Sequence, residues 1–249
     1  MAPFLSIVIP AYNEAAGIAG TLDTCVTFLS SWAPSWELLV VDDGSTDGTA
    51  AIVATAAARQ PHIRLVQAAH AGKGAAVKRG MIEARGEWRF LADADLSMDI
   101  AQLPRFFDGP GNAPPAEIVI GSREVTGAVR LDEPWSRHAI GRGFNWIARL
   151  VAVPGIQDTQ CGFKLFSRSA AERLYPRLTL EGFAFDVELL FLARRAGFRV
   201  VEIPVTWQYV PGSRVCLGNG LAAFLGIARV RMNAWRGRYA ARPWPDVVA

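Results

Sequence analysis

Two aspartates separated by one residue, Asp93 and Asp95, come directly after the strand-like segment 88–92. Carboxylates at positions i and i+2 behind a buried strand can converge on one divalent cation. A hard ion such as Mg²⁺ or Mn²⁺ accepts a few carboxylates and fills its other positions with phosphate oxygens and water. Such an ion neutralises a diphosphate and stabilises it as a leaving group. The pair therefore predicts a site for Mg²⁺ or Mn²⁺ and a diphosphate.

Three further polar clusters interrupt apolar segments in the first hundred residues: 10–14 (PAYNE), 42–47 (DDGSTD) and 72–74 (GKG). Each alone is compatible with an ordinary turn or a helix cap. The strand-like segments before them predict, however, that all of these clusters lie at the carboxyl ends of strands. That edge of an open α/β sheet is where ligands bind. Together with Asp93 and Asp95, the clusters favour one composite ligand site.

Two common phosphate-binding motifs are absent from the sequence. The segment Gly72-Lys73-Gly74 lacks the upstream glycine and the following Ser or Thr of a P-loop, and the first turn contains no GxGxxG. These absences exclude the usual NTPase and dinucleotide-dehydrogenase sites. The three histidines, His62, His70 and His138, form no recognisable triad or zinc set, so we interpret them as surface or structural residues.

Strand-like and helix-like segments alternate along the chain, which predicts an α/β fold with a mostly parallel central sheet flanked by helices. The predicted strands are 5–9, 36–41, 63–67, 88–92, 118–121, 162–166 and 200–207. The predicted helices are 15–31, 49–59, 75–84, 136–151 and 185–196. With 249 residues and 51% hydrophobic composition, the chain can bury the core of one large domain.

The charge of the chain is uneven, because the segment from Arg214 to the end has six arginines and a single acid, Asp246. Apolar residues recur there at helical spacing: Leu217, Leu221, Phe224, Leu225, Ala228, Met232 and Trp235. A basic amphipathic helix of this kind suits the interface of an anionic bilayer. The alternative is that the stripe packs on the domain core. Segment 135–151 is a second candidate for lipid contact.

Cysteine content and hydropathy indicate the compartment. The three cysteines, Cys25, Cys161 and Cys216, show no CxxC spacing, which fits a reducing cytosol. No apolar run reaches the roughly 18 residues of a membrane span. The sequence thus predicts a cytoplasmic protein that contacts the cytoplasmic face of a membrane peripherally. Nucleic acid would explain the basic tail but not the acidic clusters, so it is not an expected partner.

The motifs resemble those of family 2 glycosyltransferases with the GT-A nucleotide-diphospho-sugar transferase fold. The segments that carry this resemblance are 5–14, 41–47, 72–74 and 93–95. Segments 121–123, 158–166, 183–190, 202–207 and 211–214 narrow it to the dolichyl/polyprenyl-phosphate β-glucosyltransferase branch, close to dolichyl-phosphate mannose synthases. The resemblance implies a catalytic domain over 1–213, with a nucleotide-binding half about 1–97 and an acceptor-binding half about 98–213. Segment 214–249 would then be the membrane-interfacial part.

The resemblance also implies roles for individual residues. The nucleotide pocket would be formed by Pro10, Ala11, Tyr12, Glu14, Asp42, Asp43, Lys73, Asp93 and Ala94. Asp93 and Asp95 would hold the metal. Arg123 would bind a phosphate, with Arg137 as a second candidate, and Asp158 would orient or activate the acceptor. Ser97 stands where mannose synthases often have Gln, which leaves the donor preference open.

The resemblance implies inverting transfer of glucose from UDP-glucose to a dolichyl or polyprenyl phosphate. A lipid phosphate is already anionic near pH 7, so proton removal is not the main barrier. We therefore expect Asp95, Arg123 and Arg137 to act on phosphates and Asp158 to matter chiefly for positioning. The alternatives are a GDP-mannose- or UDP-N-acetylhexosamine-dependent enzyme of the same architecture, or a non-catalytic sugar-nucleotide-binding membrane module. The oligomeric state leaves no trace in the sequence.

Overall fold

The structure is a computed structural model that describes residues 2–108, 113–210 and 217–239, without the side chains of 136, 137 and 217–223. A seven-stranded sheet forms its centre, in the order β3-β2-β1-β4-β7-β5-β8. Its strands are β1 Leu5–Ala11, β2 Trp36–Asp42, β3 Ile63–Gln67, β4 Trp88–Leu91, β5 Ile118–Ser122, β7 Lys164–Ser167 and β8 Val200–Pro204. Neighbouring strands run parallel except at β7, which is antiparallel to both β4 and β5.

A small second sheet joins two short strands in parallel, β6 Val129–Leu131 and β9 Thr206–Gln208. Helices flank the central sheet: α1 Ile18–Trp32, α2 Thr49–Arg59, α3 Lys73–Glu83, α4 Trp135–Val151, α5 Arg168–Leu174, α6 Phe185–Arg195 and α7 Leu217–Trp235. Two 3-10 segments, Ile100–Phe107 and Tyr175–Arg177, complete the described elements. The predicted α/β class with a mostly parallel sheet is confirmed.

Two hydrophobic clusters lie on opposite faces of the sheet. Successive side chains of a strand point to opposite faces; accordingly Ile7 and Ile9 belong to one cluster and Val8 to the other. The cluster around Ile7 is covered by α1, α2 and the first 3-10 segment, and the cluster around Val8 by α3 to α7. Burial on both faces explains why β1 and β2 read as continuous apolar runs.

The last predicted strand, 200–207, was wrong as a single element. The chain leaves the central sheet after Pro204, and Thr206–Gln208 pairs with β6 instead. Proline lacks the N–H group that would continue a ladder, which explains the break there. The sequence pattern also missed β6 and α5, which are only three and seven residues long.

The C-terminal helix α7 packs against the cluster around Val8, to which its Ile227 and Val230 belong. The side chains of Leu217 and Leu221 lie outside the described residues, and the rest of the predicted apolar stripe divides between two sides of this helix. Phe224 faces the neighbouring helix α4, where its ring lies 5.2 Å from that of Phe144. Leu225, Ala228, Met232 and Trp235 point outward and are exposed. None of the helices described combines the length and the apolar character that crossing a bilayer requires.

Candidate active site

The carboxyl ends of β1, β2, β3, β4 and β5 lie at one edge of the sheet. The predicted clusters 10–14, 42–47 and 93–95 come at the ends of β1, β2 and β4, and 72–74 follows β3 at the start of α3. Because β7 is antiparallel, the residues that precede it reach the same edge, with Lys164 paired to Leu91 at the end of β4. This reversal is what brings segment 158–164 next to Asp93. The site therefore combines residues from both halves of the chain.

The loops after β1 and β2 are fastened together by hydrogen bonds. Asn13 donates its backbone N–H to Ser45 Oγ at 2.8 Å and accepts from the Thr46 N–H at 2.7 Å, while the Glu14 N–H donates to Thr49 Oγ1 at 2.8 Å. Asn13 adopts a positive φ of 49°, a conformation that asparagine tolerates better than most residues. The loop that carries Tyr12 and Glu14 is thus held in one shape.

The two aspartates after β2 are buried, and each organises the backbone around it. Asp42, 2% exposed, accepts weakly from the Ser45 N–H. Asp43 accepts from the Ala71 and Gly72 N–H groups, both at 2.9 Å. The carboxylate of Asp43, which is predicted to line the nucleotide pocket, therefore shapes the loop before α3.

His70 belongs to the same cluster, although no motif in the sequence predicts this position for it. Its Nδ1 lies 2.9 Å from Asp43 Oδ2, and its ring stacks on Tyr12 with centroids 4.1 Å apart and planes 21° apart. Pro10 and Ala11 form the end of β1, and the Ala11 carbonyl accepts from the Asp43 N–H at 2.8 Å. The aromatic pair therefore lies beside the predicted nucleoside pocket.

Lys73, the first residue of α3, is paired with Asp93 at 2.6 Å from Nζ to Oδ1. Burial alone would raise the pKa of Asp93, but the Lys73 ammonium, with Lys164 and Arg123 further away, lowers it overall. Likewise burial would lower the pKa of Lys73, and the neighbouring carboxylates raise it overall. Both groups are consequently held in their charged forms.

Asp95 is exposed, and its Oδ1 accepts from the N–H of Ser97 at 3.0 Å and from its hydroxyl at 2.5 Å. Leu96 between them has a positive φ of 43°, which is costly for a side chain of this type. Ser97 thus fixes one oxygen of Asp95 and leaves the other, Oδ2, turned away from these donors. The short Ser97 side chain donates its hydrogen bond to Asp95 itself. The longer side chain of a glutamine at this position would reach beyond Asp95.

Gly162 lies against the Asp93 carboxylate. A Cβ atom at this position would come within 2.0 Å of Asp93 Oδ2. Only glycine leaves room for Asp93 in the position where it meets Lys73. The glycine is thus part of the site, although it carries no functional group.

Arg123 and Asp158 form a bidentate ion pair at the end of β5. Arg123 Nε and Nη2 donate to the two carboxylate oxygens at 2.7 and 3.0 Å, and the Arg123 and Gln160 N–H groups donate at 3.0 and 3.1 Å. Asp158 is fully buried. Burial alone would raise its pKa, but the Arg123 guanidinium outweighs this and holds the pKa well below its usual range. Asp158 is therefore an anion near neutral pH, and both of its oxygens accept hydrogen bonds.

A second layer of polar contacts holds this pair in place. The Glu202 carboxylate accepts from the Gln157 and Asp158 N–H groups at 2.7 and 2.9 Å. Arg130 donates to the Arg123 carbonyl at 3.2 Å and pairs with Glu124 and Glu133. Arg123 also lies over the ring of Trp207, 5.5 Å from its centroid. The sequence assigned no role to these residues: Glu202 and Trp207 are distant from the ion pair in the chain, and Arg130, although close to Arg123, belongs to none of the motifs.

Lys164 is the most deeply buried cation near the site. Its Nζ donates to Asp186 Oδ1 at 2.7 Å and to the Cys161 carbonyl at 2.5 Å. Burial raises the pKa of Asp186 against the lowering effect of Lys164 and Lys73. In the sequence, Lys164 lies within an apolar strand pattern. That pattern does not predict the electrostatic interaction of Lys164 with Asp93.

The outer side of Arg130 opens toward helix α4. One cavity of about 580 Å³ lies there, and a second of about 320 Å³ follows along the helix. Arg142 lines both, and Trp135 and Trp146 line one each. The predicted Arg137 belongs to α4, but its side chain lies outside the described residues.

A divalent cation fits this site only together with a ligand that supplies further oxygens. In the described part of the chain, no group of three or more histidines, cysteines, aspartates or glutamates could hold a metal ion. Asp93 and Asp95 are hard oxygen donors of the kind that Mg²⁺ and Mn²⁺ prefer. Three cations and two further carboxylates surround these two aspartates: Lys73, Arg123, Lys164, Asp158 and Asp186. Together with Asp93 and Asp95, the seven groups carry a net charge of −1 when all are ionised.

This fold, together with the polar groups at this edge of the sheet, defines the site of a glycosyltransferase. The sequence profile described as "Glycosyl transferase family 2" matches residues 6–175. The chain belongs to glycosyl transferase family 2 and is a glycosyltransferase. Among curated proteins, a dolichyl-phosphate beta-glucosyltransferase of Trichomonas vaginalis is 34% identical, over 98% of this chain and 75% of its own. A protein of the same name from Dictyostelium discoideum is 36% identical, over 85% of this chain and 68% of the relative's own length.

Solved structures support the fold independently. Glucosyl-3-phosphoglycerate synthase of Mycobacterium tuberculosis, crystallised with Mn²⁺, UDP and phosphoglyceric acid, superposes with a TM-score of 0.65 at 19% identity. The match covers 98% of this chain and 80% of that one. At this identity the likeness concerns the fold, and it confirms the predicted GT-A architecture.

Proposed function

We propose that the protein transfers glucose from UDP-glucose to a dolichyl or polyprenyl phosphate with inversion, giving a β-linked lipid-phosphate sugar. The observation that carries the acceptor assignment is the buried ion pair of Arg123 and Asp158. An alcohol acceptor needs a base to remove its proton. Asp158 has a depressed pKa and both oxygens bonded, so it is unsuited to that task. A phosphate acceptor is already anionic and needs a fixed cation, which Arg123 supplies.

In the proposed reaction, a phosphate oxygen of the lipid attacks the anomeric carbon of the sugar. A new C–O bond forms as the bond between that carbon and the UDP oxygen breaks, and the electron pair leaves with UDP. No proton has to be transferred. Two phosphates must approach each other, so their repulsion is the main electrostatic cost. Arg123, held by Asp158, offsets it on the acceptor side, and Lys73 beside Asp93 does so on the donor side.

Asp93 and Asp95 would hold Mg²⁺ or Mn²⁺ in this scheme. The ion, when bound, neutralises the diphosphate and stabilises it as a leaving group. Tyr12, Glu14 and Asp43 would line the nucleoside pocket. Two relatives bear the name dolichyl-phosphate beta-glucosyltransferase, which supports glucose as the transferred sugar and dolichyl phosphate as the acceptor.

The donor is tested by incubating the protein with Mg²⁺ or Mn²⁺, a short polyprenyl phosphate, and UDP-glucose, GDP-mannose or UDP-N-acetylglucosamine in parallel. We expect lipid-linked sugar only with UDP-glucose, and none with Asp95→Asn. Transfer from GDP-mannose or the N-acetylhexosamine donor would overturn the donor assignment. Binding of a sugar nucleotide without transfer from any donor would instead indicate a non-catalytic module.

Peripheral attachment to the cytoplasmic face of a membrane is part of the proposal. Two adjacent helices, α4 and α7, present large apolar side chains to solvent, among them Trp146 at 57% and Trp235 at 87% exposure. Neither helix contains an acidic residue. Exposed arginines accompany the apolar side chains, such as Arg142 on α4 and Arg229 on α7. Aromatic residues with adjacent arginines suit the headgroup region of an anionic bilayer.

Sedimentation with lipid vesicles tests this attachment. The protein should bind vesicles that contain anionic phospholipid more tightly than neutral ones, and high salt should weaken the binding. Trp235→Ala should weaken it in both kinds of vesicle. Equal binding of the variant and the wild type would show that Trp235 on α7 does not contact the membrane.

A further inference from the structure

Glu188 on helix α6 is a fully buried carboxylate that joins two distant parts of the chain. Its Oε2 accepts from the backbone N–H groups of Thr179 and Leu180, both at 2.9 Å. Its Oε1 accepts from the Thr179 hydroxyl at 2.5 Å and from the Tyr239 hydroxyl at 2.6 Å. Within the part of the chain that the structure describes, no cation pairs with it. A buried charge of this kind is tolerable only while its hydrogen bonds are complete.

Segment 178–182, which Glu188 holds, lies directly against the start of helix α3. The Glu181 carbonyl accepts from the Gly74 N–H at 2.7 Å, and Lys78 Nζ donates to the Leu178 carbonyl at 2.8 Å. A Cβ atom on either Gly72 or Gly74 would lie 2.8 Å from the Glu181 carbonyl. This close approach means that a small shift of the segment would displace the first turn of α3, which carries Lys73.

The C-terminal helix holds the same segment from its other side. Asn233 of α7 is buried, and its Nδ2 donates to Thr179 Oγ1 at 3.0 Å. Gly226 packs on Ala184, where a Cβ would come within 2.1 Å of the Ala184 Cβ. Tyr239, four residues beyond the end of α7, is also buried. The segment is therefore fixed between α3, α6 and the C-terminal helix.

We propose that Glu188, Tyr239 and Asn233 are positioning residues of the sugar-nucleotide site. They touch neither donor nor acceptor; they set the place of segment 178–182 and through it that of Lys73. This inference rests on the proposed function, in which Lys73 acts on the donor diphosphate. Its consequence is that the helix assigned to the membrane also completes the donor site.

Tyr239→Phe is the direct test, because it removes a single hydroxyl and keeps the ring. Tyr175→Phe is a matched control in the same core cluster, since the buried Tyr175 hydroxyl finds no hydrogen-bond partner among the described residues. Binding of UDP-glucose in the presence of Mn²⁺, without lipid, is measured by calorimetry. If the loss of this hydrogen bond to a carboxylate is transmitted to the first turn of α3, the dissociation constant of UDP-glucose rises by about tenfold.

We expect Tyr239→Phe to weaken UDP-glucose binding by that factor and to leave vesicle binding unchanged, while Tyr175→Phe changes neither. Asn233→Ala should act in the same direction, and it serves as the test if Tyr239→Phe proves too unstable in thermal melts. In turnover, KM for UDP-glucose should rise while KM for the lipid stays constant. Wild-type affinity for UDP-glucose in a folded Tyr239→Phe or Asn233→Ala protein would overturn the inference alone. A wild-type protein that binds no sugar nucleotide would overturn the proposed function as well.

Discussion

Asp158→Asn separates a positioning role from a base role more sharply than any other substitution. The wild-type carboxylate accepts four hydrogen bonds, three of them from Arg123. Asparagine keeps the shape but offers one oxygen and an NH₂ group, which would face a donor of the guanidinium. Arg123 would then lose the only carboxylate that pairs with it among the described residues. Its guanidinium would no longer be held in a fixed direction.

The size of the effect follows from burial. Removing one partner of a buried ion pair costs about 3–5 kcal/mol. A domain of this size is stable by about 5–15 kcal/mol, so the variant should fold with a lower melting temperature. Removing one preorganised hydrogen-bond donor from a reacting group costs about 10²–10³ in turnover, and an Arg123 without its fixed position loses a contribution of this kind. We therefore expect kcat/KM for the lipid phosphate to fall by about 10², with a raised KM for that substrate.

The assay combines transfer kinetics with separate binding measurements for UDP-glucose, Mn²⁺ and the lipid phosphate. Weakened lipid binding with donor binding retained would support positioning. Asp23→Asn, on the exposed side of α1, is the control and should behave as wild type within about 0.5 kcal/mol. If Asp158→Asn abolished turnover while lipid, donor and metal all bound normally, the reasoning would be refuted and Asp158 would be a base.

Three further predictions concern the same cluster. Gly162→Ala should weaken Mn²⁺ binding and abolish transfer, because its Cβ would displace the Asp93 carboxylate. The control Gly20→Ala, whose Cβ meets nothing within 4 Å, should leave both properties intact. Normal activity of Gly162→Ala would contradict the described geometry. Arg123→Lys should lower kcat/KM for the lipid by about tenfold or more, since lysine cannot make the bidentate contact, and equal kinetics would argue against that contact. Because the folded-state pKa of Asp158 is depressed, the ionised side chain stabilises the folded protein above the unfolded pKa of about 3.9, and this stabilisation is lost as pH falls through the folded pKa. Urea melts should therefore show a steeper loss of stability in acid for the wild type than for Asp158→Asn. Parallel curves for the two proteins would argue against the Arg123–Asp158 ion pair.

Much of the fold was predictable because its strands are buried on both faces and its helices are long. The predicted limits of α2 and β3 agree with the structure at every residue. The antiparallel insertion of β7 was not predictable, since local patterns carry no direction. This reversal places Lys164 near Asp93, so the electrostatic environment of the predicted metal site could not be inferred from the sequence.

The candidate site was predictable where motifs are contiguous and hidden where contacts are long-range. Asp93, Asp95, Lys73, Arg123 and Asp158 could be named from local segments, and the structure brings Lys73 to Asp93 and Arg123 to Asp158. In contrast, the partners of the buried Glu188 lie 8 to 51 residues away, and its own helix reads as ordinary. The roles assigned to the nucleotide-pocket residues stay predictions.

The central claim, glucosyl transfer to a lipid phosphate, is tested most directly by offering labelled UDP-glucose with a polyprenyl phosphate and, separately, with the corresponding polyprenol. Both acceptors carry the same chain, so only the phosphate differs. We predict β-linked glucosyl phosphate lipid from the first acceptor and no product from the second, with transfer lost in Asp95→Asn. Glucosylation of the polyprenol, or no transfer to either acceptor, would contradict the proposed function.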